Sequence, residues 1–205
     1  MIKALYIHGL GSSSDSSTGK YFASLNSDDI VFYHPSFSFS PKKAIKEIND
    51  FIKDHNIDIV VGSSLGGFYA LLSDAKYGVV INPALIPIDD IKNGIGTGPQ
   101  EYNGTKFVLD DNFFNELEEI IRERYDVLDI NDWYLKLKPL KTFGGLFGGQ
   151  DKLFSHYDDF HSVNSRYVIL DGLMTHHFEK EYGIYVISLL EDIIKEYNGT
   201  EINIK

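Results

Sequence analysis

Six short apolar runs punctuate the chain, at residues 4–7, 30–33, 57–61, 78–81, 142–147 and 167–170. Most are unbroken rather than alternating and rich in β-branched or aromatic residues, as expected of strands buried on both faces of a parallel sheet. Between them the apolar period lengthens. Ser40-Pro41 supplies an N-cap and a first helical residue, and Ala44, Ile45, Ile48, Phe51 and Ile52 follow at three-four spacing. Tyr182, Val186, Leu189, Leu190, Ile193 and Ile194 mark one face of a final helix. Strands alternating with helices predict βαβ units in an α/β fold: an open, mostly parallel sheet with right-handed crossovers and helices on both faces.

One stretch breaks this rhythm. From 84 to 139 no strand pattern appears, while Phe113, Phe114, Leu117, Ile120 and Ile121 predict an amphipathic helix. An insertion of this size after the strand near 78–82 is either a lid over a site or a peripheral packing unit. The expected organisation is one domain over residues 1–205, with 84–139 inserted in it as a helical, lid-like segment. There are no internal repeats, and the serine-rich loop at 12–17 is the only biased tract.

Composition removes several function classes. A net charge of −11 argues against nucleic acid, whose phosphates need a basic surface. With no cysteine there is no disulfide framework, no thiolate metal site and no cysteine nucleophile, which fits the cytoplasm. No apolar run reaches membrane-spanning length. Met1 to Ile7 enters a strand-like run without the architecture of a signal peptide. Asn103-Gly104-Thr105 and Asn198-Gly199-Thr200 fit the glycosylation pattern but are read as chance matches. Oligomeric state cannot be read from the sequence.

Chemistry concentrates around Ser64. Gly62-Ser63-Ser64-Leu65-Gly66 forms a G-x-S-x-G between an apolar strand and the start of a helix, the setting of a serine on a sharp strand-to-helix turn. The pattern alone is weak, because a serine hydroxyl needs an oriented base. α/β-Hydrolases supply their residues in the chain order Ser, Asp or Glu, His. Asp151, in Gly148-Gly149-Gln150-Asp151, follows the strand at 142–147. His176, in Met174-Thr175-His176-His177-Phe178, follows the strand at 167–170. Both stand at carboxyl ends of predicted strands, where open α/β sheets place their sites. His177 competes with His176 as base, and Asp158 and Asp159 are read as exposed helix residues. After the first strand, Ile7-His8-Gly9-Leu10-Gly11-Ser12 can turn the Leu10 N–H toward the serine. With the Leu65 N–H it makes the expected oxyanion-binding pair.

Other candidates read more plainly. His34 precedes Pro35 at a strand end and suits a packed or hydrogen-bonded role. His55 ends a helix, where an imidazolium suits the dipole. His156 and His161 are five apart, not the four of two ligands on one helix face, so no metal site is expected. Gly9-Leu10-Gly11 with Gly19-Lys20 lacks the spacing of a Walker A loop, and Tyr21 stands where Ser or Thr is required.

With these residues assembled, the chain resembles the YqiA-like small bacterial esterases, a single-domain α/β-hydrolase family. The resemblance rests on His8-Gly9-Leu10, on Gly62 to Ala70, on Ile81-Asn82-Pro83-Ala84 and on Tyr102 to Leu109, in that order. It implies a cofactor-free serine hydrolase acting on a small-molecule acyl ester or thioester, with Ser64 as nucleophile and Asp151 as acid. Its histidine pattern matches His176-His177-Phe178 but departs at the less glycine-rich Asp171 to Thr175. The rival readings are a non-catalytic binding protein on the same fold and an acyltransferase using the same residues.

Overall fold

A computed structural model describes residues 1–102, 104–137, 141–164, 166–199 and 204. Asn103 and Thr200 of the two glycosylation patterns, and Pro139 at the end of the expected insertion, lie outside the described residues. All six expected strands are present: β1 (Ile2–Ile7), β2 (Ile30–Tyr33), β3 (Ile59–Ser63), β4 (Tyr77–Ile81), β7 (Thr142–Gly148) and β8 (Val168–Asp171). They form one parallel sheet in the order β2-β1-β3-β4-β7-β8. The registers Ile7↔Gly62, Ser63↔Ile81, Ile81↔Leu146 and Gly148↔Asp171 bring the carboxyl ends of five strands to one edge.

Alternating side chains of each strand feed a separate core on each face. Leu5 and Ile7 of β1, Val60 of β3 and Val80 of β4 join the core covered by α2 (Pro41–His55), α3 (Leu65–Leu72) and α5 (Asp111–Arg124). Ala4 and Tyr6, Ile59 and Val61, Val79 and Ile81 join the other, covered by α1 (Ser17–Ser24) and α7 (Gly183–Asn198). Both faces are therefore apolar, which is why these strands show no alternation in the sequence. α2 starts where Ser40 caps the Lys43 N–H with Pro41 as first helical residue, and stops where Asn56 turns left-handed at φ 52°. No helix among the described residues is long and apolar enough to cross a membrane.

The insertion departs from expectation. It contains α4 (Pro87–Gly94), α5, a 3-10 segment (Ile130–Lys136) and an antiparallel hairpin of β5 (Gly98–Tyr102) and β6 (Thr105–Leu109). The expectation of no strand within 84–139 is thus overturned by the hairpin, while the expected amphipathic helix is present as α5. Gly-Pro-Gln-Glu-Tyr has no apolar run because β5 lies outside the main sheet and is half-exposed along its length. The hairpin rests on the loop after β1. Gly11 has φ +69°, and a β-carbon there would stand 2.6 Å from the Phe107 ring. α1 also rises directly out of the serine-rich loop, capped by Ser16, whose Oγ accepts from the Gly19 N–H at 3.0 Å.

Candidate active site

Ser64 stands between the last residue of β3 and the first of α3, with φ 54° and ψ −124°. Such a backbone is costly for a residue with a side chain and must be held by its surroundings. The Ser64 N–H donates to the Ile81 carbonyl at 2.9 Å, and its own carbonyl accepts from Gly67, Phe68 and Ala84. The flanking glycines are required by contact. A β-carbon at Gly62 would collide with the Gly66 carbonyl, and one at Gly66 with the carbonyls of Ile7 and His8. The turn therefore presses the start of α3 against the end of β1 and projects the Ser64 side chain at the sheet edge.

The doublet of histidines separates cleanly. His176 Nε2 lies 3.0 Å from Ser64 Oγ, and its Nδ1 lies 2.8 Å from Asp151 Oδ2. With Nδ1–H donating to the carboxylate, Nε2 is left to accept the Ser64 O–H. Among the described residues no such bonds reach the His177 ring, which lies near Tyr102 at a centroid distance of 6.5 Å. The edge-on ring of Phe154, 4.6 Å from the His176 ring, limits the freedom of the imidazole.

Asp151 is almost wholly enclosed, its side chain 1% exposed. Burial works to raise its pKa, but hydrogen bonds from His176 and from the amides of Phe154 and Leu153 outweigh that and hold the carboxyl below its ordinary range. The loops carrying Asp151 and His176 also touch through backbone. The Gly149 N–H donates to the Asp171 carbonyl, and the Gln150 N–H to the Met174 carbonyl.

One contributor was missed by sequence reasoning. Asn82, just past β4, is 2% exposed and has φ 42°. Its Oδ1 accepts from the Gly148 N–H at 2.8 Å, while its Nδ2 donates to the carbonyls of Thr175 at 2.9 Å and His176 at 3.1 Å. This one amide ties the strand before Asp151 to the loop carrying His176. The only signal was an isolated polar residue after an apolar strand in Ile81-Asn82-Pro83-Ala84, which matched the family without disclosing a role.

The loop after β1 passes directly over the serine. A β-carbon at Gly9 would stand 3.3 Å from the Ser63 carbonyl and from Ser64 Cβ. His8 anchors this loop: its Nδ1–H donates to the Gly9 carbonyl at 3.0 Å and its Nε2 accepts from the Phe37 N–H at 3.2 Å. Burial lowers the His8 pKa, with the Gly9 bond opposing, so the ring stays neutral in this two-sided role. Leu10 follows in that loop, and Leu65 is the first residue of α3, at the end where helical N–H groups lack intrahelical partners.

The remaining histidines sit outside this constellation. His34 Nδ1 bonds to the Ser14 carbonyl at 3.1 Å, and His55 is the last residue of α2. His156 is buried between Asp90, 2.8 Å from Nε2, and Asp159, 3.0 Å from Nδ1. Asp158 is exposed as expected, but Asp159 is not simply a surface residue, because its carboxylate turns in toward His156 at the start of α6 (Tyr157–Val163).

A parallel sheet flanked by helices, with a serine on a sharp strand-to-helix turn and an Asp and a His after later strands, defines the α/β-hydrolase fold. Within it the chain belongs to the uncharacterised protein family UPF0227, whose model matches residues 3–180, and this is the YqiA-like family that the motifs resemble. Solved structures share the fold at low identity. Est1E from Butyrivibrio proteoclasticus, bound to ferulic acid, is 12% identical with a TM-score of 0.68, covering 98% of this chain and 90% of that one. Mouse alpha/beta hydrolase domain-containing protein 10 is 16% identical with a TM-score of 0.63, covering 95% and 90%. An alpha/beta superfamily hydrolase from Oenococcus oeni is 11% identical with a TM-score of 0.61, covering 98% and 94%.

Proposed function

We propose that the protein is a serine esterase. The observation that carries this reading is the unbroken chain from Ser64 Oγ through the two nitrogens of His176 to Asp151, at 3.0 and 2.8 Å. In the reaction, Ser64 Oγ forms a bond to the ester carbonyl carbon as His176 Nε2 takes its proton. The N–H groups of Leu10 and Leu65 stabilise the oxyanion, each contributing about 3 kcal/mol. The carbonyl–alkoxy bond then breaks, and the leaving oxygen takes the proton back from His176. Water, deprotonated by the same nitrogen, attacks the acyl-enzyme and restores Ser64. Asp151 holds the ring in the tautomer that this requires and stabilises its charged form. The fold shared with esterases such as Est1E supports the reading without identifying the substrate.

The experiment is direct. The purified chain should hydrolyse short p-nitrophenyl esters and take a fluorophosphonate label on Ser64. Full turnover by Ser64→Ala would falsify the assignment, and a label on another residue would move the nucleophile.

A further inference from the structure

The loop after β1 is a wall shared by two cavities. Ser64 and His176 line one of about 320 Å³, and Gly9, Leu10 and Ser12 reach into both. The other, of about 130 Å³, lies toward α2 and α3, where Phe37, Ala44, Leu65 and Tyr69 line it. Its rim carries the exposed Phe39 and Thr105, and neither Ser64 nor His176 is among its lining residues. An apolar cavity of about 150 Å³ is enough to hold benzene, so this smaller space with an open rim suits a single aromatic ring.

Tyr69 is the polar group in this wall that folding leaves unused. It is 5% exposed, and its hydroxyl has no hydrogen-bond partner among the described residues. The one partnerless hydroxyl sealed from solvent among them is that of Tyr125, so the Tyr69 oxygen keeps access to the cavity it lines. Burial raises its pKa and the charge of Glu116 adds to this, so the phenol keeps its proton. One donor and two acceptor lone pairs are therefore open to a ligand, and pairing them relieves the cost of leaving them unmade. No Lys, Arg, Asp or Glu lines the cavity, and the titratable neighbour of Tyr69 there is His8. Both His8 nitrogens are already engaged, by the Gly9 carbonyl and the Phe37 N–H. Nothing in this wall would neutralise a charged occupant.

We propose that this second cavity binds a small neutral phenol, whose hydroxyl pairs with Tyr69 and whose ring lies among Phe37, Leu10 and Leu65. Its occupant bears on the wall that supplies the Leu10 and Leu65 N–H groups, and so slows turnover without competing for the catalytic cavity. Gly9 shows how thin that wall is, since a β-carbon there would stand 3.3 Å from Ser64 Cβ. The effect on turnover rests on the esterase reading above; the binding does not.

The probe is para-fluorophenol, followed by its fluorine NMR signal. Titrated with the unmodified chain, the signal should shift saturably with a Kd of roughly a millimolar, as suits a ligand of so few atoms. Tyr69→Phe removes only the hydroxyl and should weaken binding about threefold to tenfold. Ala44→Leu fills the space and should abolish it. At saturation the probe should lower kcat for p-nitrophenyl acetate about threefold or more with KM little changed, a fraction of the loss from deleting one oxyanion donor. Absence of saturable binding, equal affinity in Tyr69→Phe, undiminished binding in Ala44→Leu, or inhibition that raises KM alone would each overturn the proposal. Saturable, Tyr69-dependent binding to a chain that shows neither ester turnover nor fluorophosphonate labelling would overturn the esterase reading and leave the binding site standing.

Discussion

The Asn82 Nδ2 donates to the backbone carbonyl of His176 across 3.1 Å, although the two residues are 94 positions apart. The bond makes the end of β4 a support for the loop carrying His176, and the oxygen of the same amide accepts from the Gly148 N–H, three residues before Asp151. The positions of Asp151 and His176 are therefore both tied to one side chain that touches neither Ser64 Oγ nor the His176 ring.

Asn82→Asp should expose that role. The carboxylate still accepts from the Gly148 N–H but turns a negative charge on the carbonyls of Thr175 and His176. With the imidazole displaced, kcat should fall by roughly tenfold to a hundredfold while KM changes little, because misplacing a catalytic group by about an ångström costs about that much. Asn82→Ala loses the same donors and also places a β-branch-free but non-Asn residue at φ 42°. It should lower the melting temperature as well. Equal loss of stability and activity in both variants, with an unchanged pH–rate profile, would reduce Asn82 to a purely structural residue.

The two histidines should part in the same assay. His176→Ala removes the proposed base and should cost at least about a thousandfold in kcat, as for other members of a cooperating Ser-His-Asp set. His177→Ala changes the cavity wall near Tyr102 and should cost less than about tenfold, since the ring does not bridge Ser64 and Asp151. The reverse ranking would exchange their roles.

These residues also mark where sequence reading stops. The six sheet strands are legible because burial on both faces forces unbroken apolar runs, and Ser64 because its glycines admit no β-carbon. Adjacent histidines are different. Both satisfy chain order, and only the path of the loop decides which ring turns toward Ser64. The β5–β6 hairpin escapes notice because a half-exposed two-stranded ribbon needs no apolar face, and Pro99 speaks against a strand. Asn82 works through backbone groups distant in sequence, so no local spacing announces it. Asp159 reads as a surface helix residue until the fold brings His156 and Asp90 beside it.

Gly66 offers a test of the turn itself. A methyl group there would run into the carbonyls of Ile7 and His8, which are backbone and cannot swing aside. Gly66→Ala should destabilise the fold by about 1–3 kcal/mol, the range for overpacking a filled interior. It should also reduce fluorophosphonate labelling by displacing β1 and its loop relative to Ser64. Unchanged denaturant midpoint and labelling rate would show that the contact relaxes without cost.

His156 links stability to pH, and the direction follows from its partners. Burial alone would lower its pKa, but the hydrogen bonds and charges of Asp90 and Asp159 outweigh that and raise it. Asp159 is in turn 3.5 Å from the Tyr134 hydroxyl, and Asp90 caps the Ile86 N–H, so both carboxylates are held in place. A raised folded-state pKa means that the native protein binds the proton more tightly than the unfolded chain does. The resulting stabilisation is complete below the ordinary histidine value of about 6.5 and is lost as pH rises through the folded value. Denaturant unfolding of the unmodified chain and of His156→Gln should therefore differ most at mildly acidic pH. The gap should narrow as pH climbs past neutrality, because the remaining neutral imidazole keeps its hydrogen bonds but not its charge. A difference that is constant with pH, or that grows toward alkaline pH, would mean that His156 is held neutral between its two carboxylates.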